Sequence, residues 1–259
     1  MATILFHDIV YGPVHSRRLG VSLGVNISPP DGKRCTFNCI YCECGLNEER
    51  PASVKAPRRE EVRKALNTKL SQMASEHIFP DVITFSGNGE PTLHPAFAGI
   101  IDDTLTLRDR WCPQAKVAVL SNSTMIWKET VFQALCRVDE NIMKLDSATD
   151  MRMWQIDQPE SADFTCTQVI RQLCRFGGKV IIQTIFLRGK RDGIVIDNTG
   201  EAEIDAWIDA LKKINPSKVM IYTIDRETPV KSLQKVPADE LNAIASRVRA
   251  AGFEVSVSA

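Results

Sequence analysis

The chain has 259 residues, of which 44% are hydrophobic and 25% are charged, as is ordinary for a globular protein that buries a large core. Its 32 lysines and arginines balance its 32 aspartates and glutamates, so the formal net charge is zero. A zero net charge gives no electrostatic support for a nucleic-acid or acidic-membrane partner, although it leaves room for a local basic patch.

The first residues lack the pattern of a secretory signal. Their short apolar stretch is interrupted by His7 and Asp8 and has no basic region before it. No apolar run in the chain approaches the roughly 18 residues that a membrane-spanning helix needs. We therefore expect a cytoplasmic protein with no membrane contact. Its eight cysteines should be mostly reduced, which argues against a disulfide staple.

Short apolar runs alternate with amphipathic segments along the whole chain, and no repeat or linker divides it. Several of the runs are rich in valine and isoleucine, which is typical of strands covered on both faces. The runs predict strands at 20–27, 82–87, 116–122, 141–146, 179–187 and 218–224. The segments between and after them predict helices at 57–76, 96–110, 127–138, 164–176, 201–214 and 238–251.

This alternation predicts one α/β domain over 1–259, with a parallel sheet and right-handed crossovers. Periodicity alone leaves open whether the sheet is doubly wound or curled into a partial barrel. The tail, 253–259, is a candidate for an added short strand. In either architecture the binding site should lie where the carboxyl ends of the strands meet, and polar segments do follow the predicted strands.

Four cysteines crowd into the segment after the first predicted strand, at Cys35, Cys39, Cys42 and Cys44. A structural zinc site usually takes two separated ligand pairs, whereas the other cysteines of this chain are scattered. Three thiolates in a C-x3-C-x2-C spacing suit a cubane iron–sulfur cluster that keeps one iron open to another ligand. A zinc site formed by the four crowded cysteines is the alternative. Cys136, in a helical pattern, is expected in the core.

The segment "CTFNCIYC" resembles the C-x3-C-x-aromatic-C signature of the radical SAM superfamily, and it follows the first strand as it does there. "SGNGEPTLHP", after the second strand, resembles the GGE motif of that superfamily, with Asn88 in place of the first glycine. "VLSNST", "IIQTIFLRG" and "IYTIDRETP" are similar to bacterial and archaeal Fe–S oxidoreductases related to the radical SAM domain of the tRNA wybutosine-synthesis enzyme. The resemblance covers most of the chain. It implies a partial (β/α)6 TIM-like barrel with a cluster loop at 28–45.

The resemblance also implies that Cys35, Cys39 and Cys42 hold a 4Fe–4S cluster whose open iron chelates S-adenosylmethionine. One electron would cleave the cofactor, and the 5′-deoxyadenosyl radical would abstract hydrogen from a substrate. An external flavodoxin or ferredoxin would supply the electron. Because three ligands complete the usual cluster, Cys44 is expected to be an inert neighbour. The residues expected to bind the cofactor are Tyr41, Gly87, Gly89, Glu90, Ser121, Asn122 and Gln183.

Five charged residues are candidates for contact with the substrate. Lys144 and Asp146 alternate toward the barrel mouth, where they could bind substrate or pair with each other. Arg226 is a third catalytic candidate, against the alternative of a surface ion pair. Arg17 and Arg18 could clamp a phosphate or carboxylate, since arginine binds such anions through two parallel hydrogen bonds.

These features favour an oxidoreductase of the radical SAM type that acts on a small molecule or on a partner protein. A tRNA-modifying enzyme of the wybutosine type is an alternative, which the zero net charge and the lack of a basic stretch do not support. A non-enzymatic α/β binding module stabilised by zinc is a second alternative.

Overall fold

Strands and helices alternate along most of the chain in the computed structural model, which describes residues 4–259. The strands are β1 (Val10–Ser16), β2 (Gly20–Val25), β3 (Val82–Phe85), β4 (Lys116–Ser121), β5 (Glu140–Lys144), β6 (Ile181–Ile185), β7 (Leu187–Arg191), β8 (Ile194–Asp197), β9 (Lys218–Tyr222), β10 (Gln234–Lys235) and β11 (Val255–Ser258). The α-helices are α1 (Arg59–Ser75), α2 (Phe97–Trp111), α3 (Glu129–Leu135), α4 (Asp150–Ile156), α5 (Cys166–Cys174), α6 (Glu201–Ile214) and α7 (Ala238–Ala250). Within the described residues, no helix is both long and apolar enough to cross a membrane.

The parallel strands lie in the order β2-β3-β4-β5-β6-β9 and curl into a half-barrel. This arrangement confirms the partial (β/α)6 barrel that the sequence resemblance implies. The hairpin of β1 and β2 adds an antiparallel strand at one edge. At the other edge β11 runs parallel to β9, with Val255 opposite Val219, so the tail does form an added strand.

Side chains of the parallel strands alternate between two apolar clusters, because successive residues of a strand point to opposite faces. On β3, Ile83 and Phe85 pack into the large cluster between the sheet and the helices. Val82 faces the barrel lumen instead. The lumen cluster is small and consists of Val82, Ala118, Ile142, Ile181 and Met220. The lumen is therefore apolar in part, and polar side chains such as Thr84 and Gln183 lie buried along the same strands.

Two local expectations are wrong. The strand expected over 179–187 ends at Ile185, and Leu187 already belongs to β7 in a separate sheet of order β10-β7-β8. The apolar run hides this change of direction, since residues on both sides of it are buried. Cys136 is exposed rather than in the core, because α3 ends at Leu135 and Cys136 caps it.

Candidate functional site

The cysteine loop lies across the carboxyl ends of the strands, over the lumen. Cys39 and Cys42 line a cleft of about 240 Å³ together with Lys144 of β5 and Tyr222 of β9. Cys35 packs in the same apolar cluster as these two cysteines. All cysteines of the described chain are free thiols, so the three members of the C-x3-C-x2-C pattern are available as ligands.

A close backbone contact fixes this loop to the segment after β3. The Arg34 amide donates to the Asn88 carbonyl at 2.9 Å, and the Glu90 amide donates to the Arg34 carbonyl at 3.0 Å. Gly89, at φ +139°, lies between them, and a Cβ there would stand 1.8 Å from the Arg34 oxygen. Only glycine allows this approach, so the GGE-like motif holds the cysteine loop in place.

Asn88 replaces the first glycine of that motif and is fully buried. Its amide nitrogen donates to the carbonyls of Phe6 (2.8 Å) and Pro29 (2.9 Å), and its oxygen accepts from the Phe6 amide (2.8 Å). Asn88 therefore joins the N-terminal segment to the start of the cysteine loop. At Gly87 an added Cβ would lie 2.4 Å from the Asn26 side-chain oxygen, so this glycine makes room for protein.

The Glu90 carboxylate is buried behind the loop and is held by several donors. It accepts from the Thr92 amide (3.0 Å), the Ser121 hydroxyl (2.9 Å) and the Asn122 amide (2.6 Å). Burial raises the pKa of Glu90, and these hydrogen bonds oppose that rise. Ser121 and Asn122, two residues expected to contact the cofactor, thus contact Glu90. Their contact with the cofactor stays a prediction.

Lys144 places a positive charge beside the thiols. Its ammonium lies 3.7 Å from the Cys39 sulfur, 3.3 Å from Asp146 and 3.8 Å from Asp157. It also donates to the Tyr41 hydroxyl, which in turn donates to Asp146. Of the two outcomes expected for Lys144 and Asp146, the structure shows their ion pair. Sequence reasoning missed Asp157, whose only signal was an acidic residue after α4.

A second lysine, Lys33, belongs to the loop itself; it is buried and donates to the Gly45 carbonyl at 2.8 Å. The Cys44 thiol donates to the Gly87 carbonyl at 3.4 Å and does not line the cleft, and its expected role as an inert neighbour stays a prediction. A hydrogen bond with Cys44, aided by the Lys33 charge, lowers the pKa of Cys42 to about 5, although burial opposes this. Burial raises the pKa of Cys35 to about 11.

The donor set, three free thiols on one loop, has the chemistry that an iron–sulfur cluster needs. Within residues 4–259, no three Cys, His, Asp or Glu side chains converge on a single ion position. Thiolates that each bind a different iron need no such convergence. The Cys35 sulfur accepts hydrogen bonds from the Phe37 backbone amide (3.4 Å) and the Asn122 side-chain amide (3.5 Å). Hydrogen bonds to ligand sulfurs are one of the factors that set the reduction potential of an iron–sulfur cluster.

The other predicted site residues lie around the cleft. Gln183 accepts a hydrogen bond from Arg18, described below. Arg226 is 56% exposed at the rim and forms an ion pair with Glu43 at 2.6 Å. This is a surface ion pair, the alternative expected for Arg226, and the exposed position gives no direct support for a catalytic role.

Comparison with curated proteins identifies a family for this chain. No protein-family model matches it. A UPF0026 protein of Helicobacter pylori is 32% identical over 238 residues, which cover 90% of this chain and 71% of that protein. The chain belongs to the UPF0026 family, a name that states no activity.

Solved structures show the fold of the chain to be that of radical SAM enzymes, which confirms the resemblance at the level of the fold. A radical SAM methyltransferase from Sphaerobacter thermophilus matches with a TM-score of 0.67 at 14% identity, over 92% of this chain and 66% of its own. Streptococcus suis SuiB bound to S-adenosylmethionine matches with a TM-score of 0.64 at 14% identity, over 91% of this chain and 50% of SuiB. TYW1 with a lysine-pyruvate adduct bound matches with a TM-score of 0.58 at 15% identity, over 88% of this chain and 73% of TYW1. The chain thus spans half to three quarters of these proteins.

We expect Gly89→Ala to lower the thermal stability far more than Gly193→Ala. Both glycines have a positive φ, but an added Cβ meets the Arg34 carbonyl at Gly89 and nothing within 4 Å at Gly193. A side chain at positive φ costs about 1–2 kcal/mol at either position, and the lost contact between the two segments adds to this cost at Gly89. Differential scanning calorimetry measures both variants. Equal losses of stability would contradict the role given to the contact with Arg34.

Proposed function

We propose that this protein is a radical SAM enzyme in which Cys35, Cys39 and Cys42 hold a 4Fe–4S cluster beside S-adenosylmethionine. When bound, the cluster and cofactor supply a 5′-deoxyadenosyl radical, which takes a hydrogen atom from the substrate. The observation that carries the proposal is the position of the three free thiols over the lumen of a half-barrel of the radical SAM type. A small molecule or a partner protein is the favoured substrate.

The chain's own residues would compensate the charge of this site. Thiolates and a sulfide-bridged cluster carry negative charge, and two cations lie close to the thiols: the buried Lys33 and the largely buried Lys144. Their ammonium groups favour the thiolate forms of the cysteines. Asp146 and Asp157 hold Lys144 in position. Lys144, 3.7 Å from the Cys39 sulfur, and its partner Asp146 remain catalytic candidates.

Glu90 is the proposed partner of the cofactor's positively charged amino group. A carboxylate with a fixed position makes a strong charge-assisted hydrogen bond to an ammonium group. The donors from Thr92, Ser121 and Asn122 fix it, so Ser121 and Asn122 act at least through Glu90. The further candidates for cofactor contact are Tyr41, Gly87, Gly89 and Gln183.

The electron for this chemistry would come from a separate protein, a flavodoxin or a ferredoxin. The support is the distribution of thiols: in the part of the chain that the structure describes, the cysteines outside the loop are Cys112, Cys136, Cys166 and Cys174, which stand on different elements or at opposite ends of α5. We place this reaction in the cytoplasm, where such thiols stay reduced.

A tRNA substrate of the wybutosine type is the second candidate. The observation in its favour is the fold shared with TYW1, whose structure holds a lysine-pyruvate adduct, and the presence of Lys144 in the cleft of this chain. Against it, Lys144 is paired with Asp146 and Asp157, which favour its charged form over the neutral amine that an adduct needs. The zero net charge also offers little attraction for RNA.

We expect Cys39→Ala to abolish iron and sulfide binding, whereas Cys136→Ala should leave both unchanged. Cys39 is buried at the cleft beside Lys144, and Cys136 is an exposed thiol at the end of α3. The measurement is iron and sulfide content, with the visible absorption band, after anaerobic reconstitution. A Cys39→Ala protein that holds as much cluster as the wild type would contradict the ligand assignment.

We expect Glu90→Gln to weaken binding of S-adenosylmethionine by about tenfold or more, since the variant loses a charge-assisted bond. Its iron content should stay at the wild-type level, because Glu90 is not a proposed ligand. Equilibrium dialysis with labelled cofactor measures the affinity. In Glu90→Gln the new NH2 group can face the donors of Thr92 and Asn122, which could disturb the local structure. Glu90→Ala has no such group and serves as a second variant. Normal affinity in both would show that Glu90 has another role.

A further inference from the structure

The turn between β1 and β2 is anchored at the lower end of the barrel. The Ser16 hydroxyl accepts from the amides of Arg18 (3.3 Å) and Leu19 (3.2 Å), and the Val21 amide donates to Asp81 at 2.8 Å. Leu19 packs against the apolar lumen cluster. The backbone of Arg18 is thus fixed on two sides, and its side chain extends into the lumen.

Arg18 separates two cavities of the barrel. One is the cleft of about 240 Å³ that Cys39 and Cys42 line from above. The other is a cavity of about 260 Å³ at the amino-terminal ends of the strands, lined by residues such as Lys116 and Lys218. Arg18 lines both, so its guanidinium forms the floor of the upper cleft.

The partners of this guanidinium are neutral. One terminal nitrogen, Nη1, donates to the Gln183 side-chain oxygen at 2.9 Å. The guanidinium carbon lies 4.5 Å from the centre of the Tyr222 ring, a cation–π contact. Within residues 4–259, no carboxylate forms an ion pair with Arg18, and no acceptor faces its Nε or Nη2 at hydrogen-bonding distance.

The carboxylates that line the two cavities or lie beside them have other partners. Those of the upper cleft form ion pairs: Asp225 with Arg17, Glu43 with Arg226, and Asp146 and Asp157 with Lys144. Below, Asp81 accepts from the Val21 amide and Glu140 pairs with Lys116. The charge of Arg18 is therefore the uncompensated one in the cleft, half-buried and open on two donor positions.

We propose that Arg18 binds an anionic group of the substrate, a carboxylate or a phosphate, on the floor of the cleft. A planar guanidinium with two free donors matches the oxygens of such a group through parallel hydrogen bonds. The Tyr222 ring and apolar lumen residues such as Met220 and Ile181 border this position, and a less polar surrounding strengthens the attraction. The identification of this anion as part of the substrate rests on the proposed function, since it places the anion beneath the thiols.

Arg17 lines the same cleft and provides the contrast. Its side chain is 44% exposed and forms an ion pair with Asp225 at 3.1 Å. An exposed arginine with a carboxylate already bound gains little from a second anion. Arg17→Gln is therefore a matched control for Arg18→Gln.

The test is stabilisation of the reconstituted protein by inorganic phosphate and, separately, by acetate, against chloride at equal ionic strength. An anion that binds the folded state raises its stability by RT ln(1 + c/Kd), where c is the anion concentration, so the melting temperature rises with the logarithm of concentration and a Kd can be fitted. We expect Arg18→Gln to raise the fitted Kd of the preferred anion by about tenfold or more, and Arg17→Gln by less than about twofold. Arg18→Lys should bind the anion with intermediate affinity, because lysine keeps the positive charge but lacks the paired donors of the planar guanidinium.

The two anions distinguish the chemistry, since preference for phosphate or for acetate indicates which group the substrate carries. Wild type and Arg18→Gln stabilised equally by both anions would overturn the proposal. A loss of S-adenosylmethionine affinity in Arg18→Gln with unchanged anion binding would also overturn it, because Arg18 would then belong to the cofactor site. Anion binding needs no turnover, so its outcome is independent of whether 5′-deoxyadenosine forms.

Discussion

The backbone contact between Arg34 and Gly89 is the constraint on which the rest of the site depends. Two hydrogen bonds, at 2.9 and 3.0 Å, join the start of the cysteine loop to the segment after β3. The contact exists because Gly89 has no side chain. It sets the three thiols over the lumen and places Glu90 behind them, so the proposed metal ligands and the proposed cofactor ligand share one rigid support.

Charge is the second organising feature. The chain is neutral as a whole, yet Lys33, Lys144 and Arg18 bring positive charge to the loop and the lumen below it. Two of these cations lie beside the thiols, where they would offset the charge of a bound cluster. The third, Arg18, lies at the floor of the cleft, where its described partners, Gln183 and Tyr222, are neutral. Positive charge thus lies at two depths of the barrel mouth, which is the basis for the two negative groups proposed there.

Much of the fold was predictable because hydrophobic period and loop chemistry are local. The parallel strands and the helices between them can be predicted from the apolar runs. The shared site of the thiols can be predicted because four cysteines lie within ten positions, 35–44. The rest depends on contacts that no local pattern encodes. Asn88 bonds to Phe6, 82 positions away, and Arg18 to Gln183, 165 positions away. β1 was missed because Gly12 and Pro13 weaken its strand pattern, which an edge strand tolerates.

The measurement that tests the account most directly is the formation of 5′-deoxyadenosine. The protein is purified without oxygen, reconstituted with iron and sulfide, and mixed with S-adenosylmethionine and dithionite, and the product is measured by mass spectrometry. We expect the nucleoside from the wild type and none from Cys39→Ala. A wild-type protein that binds about one zinc ion and forms no nucleoside would contradict the account, because its crowded thiols would then be structural.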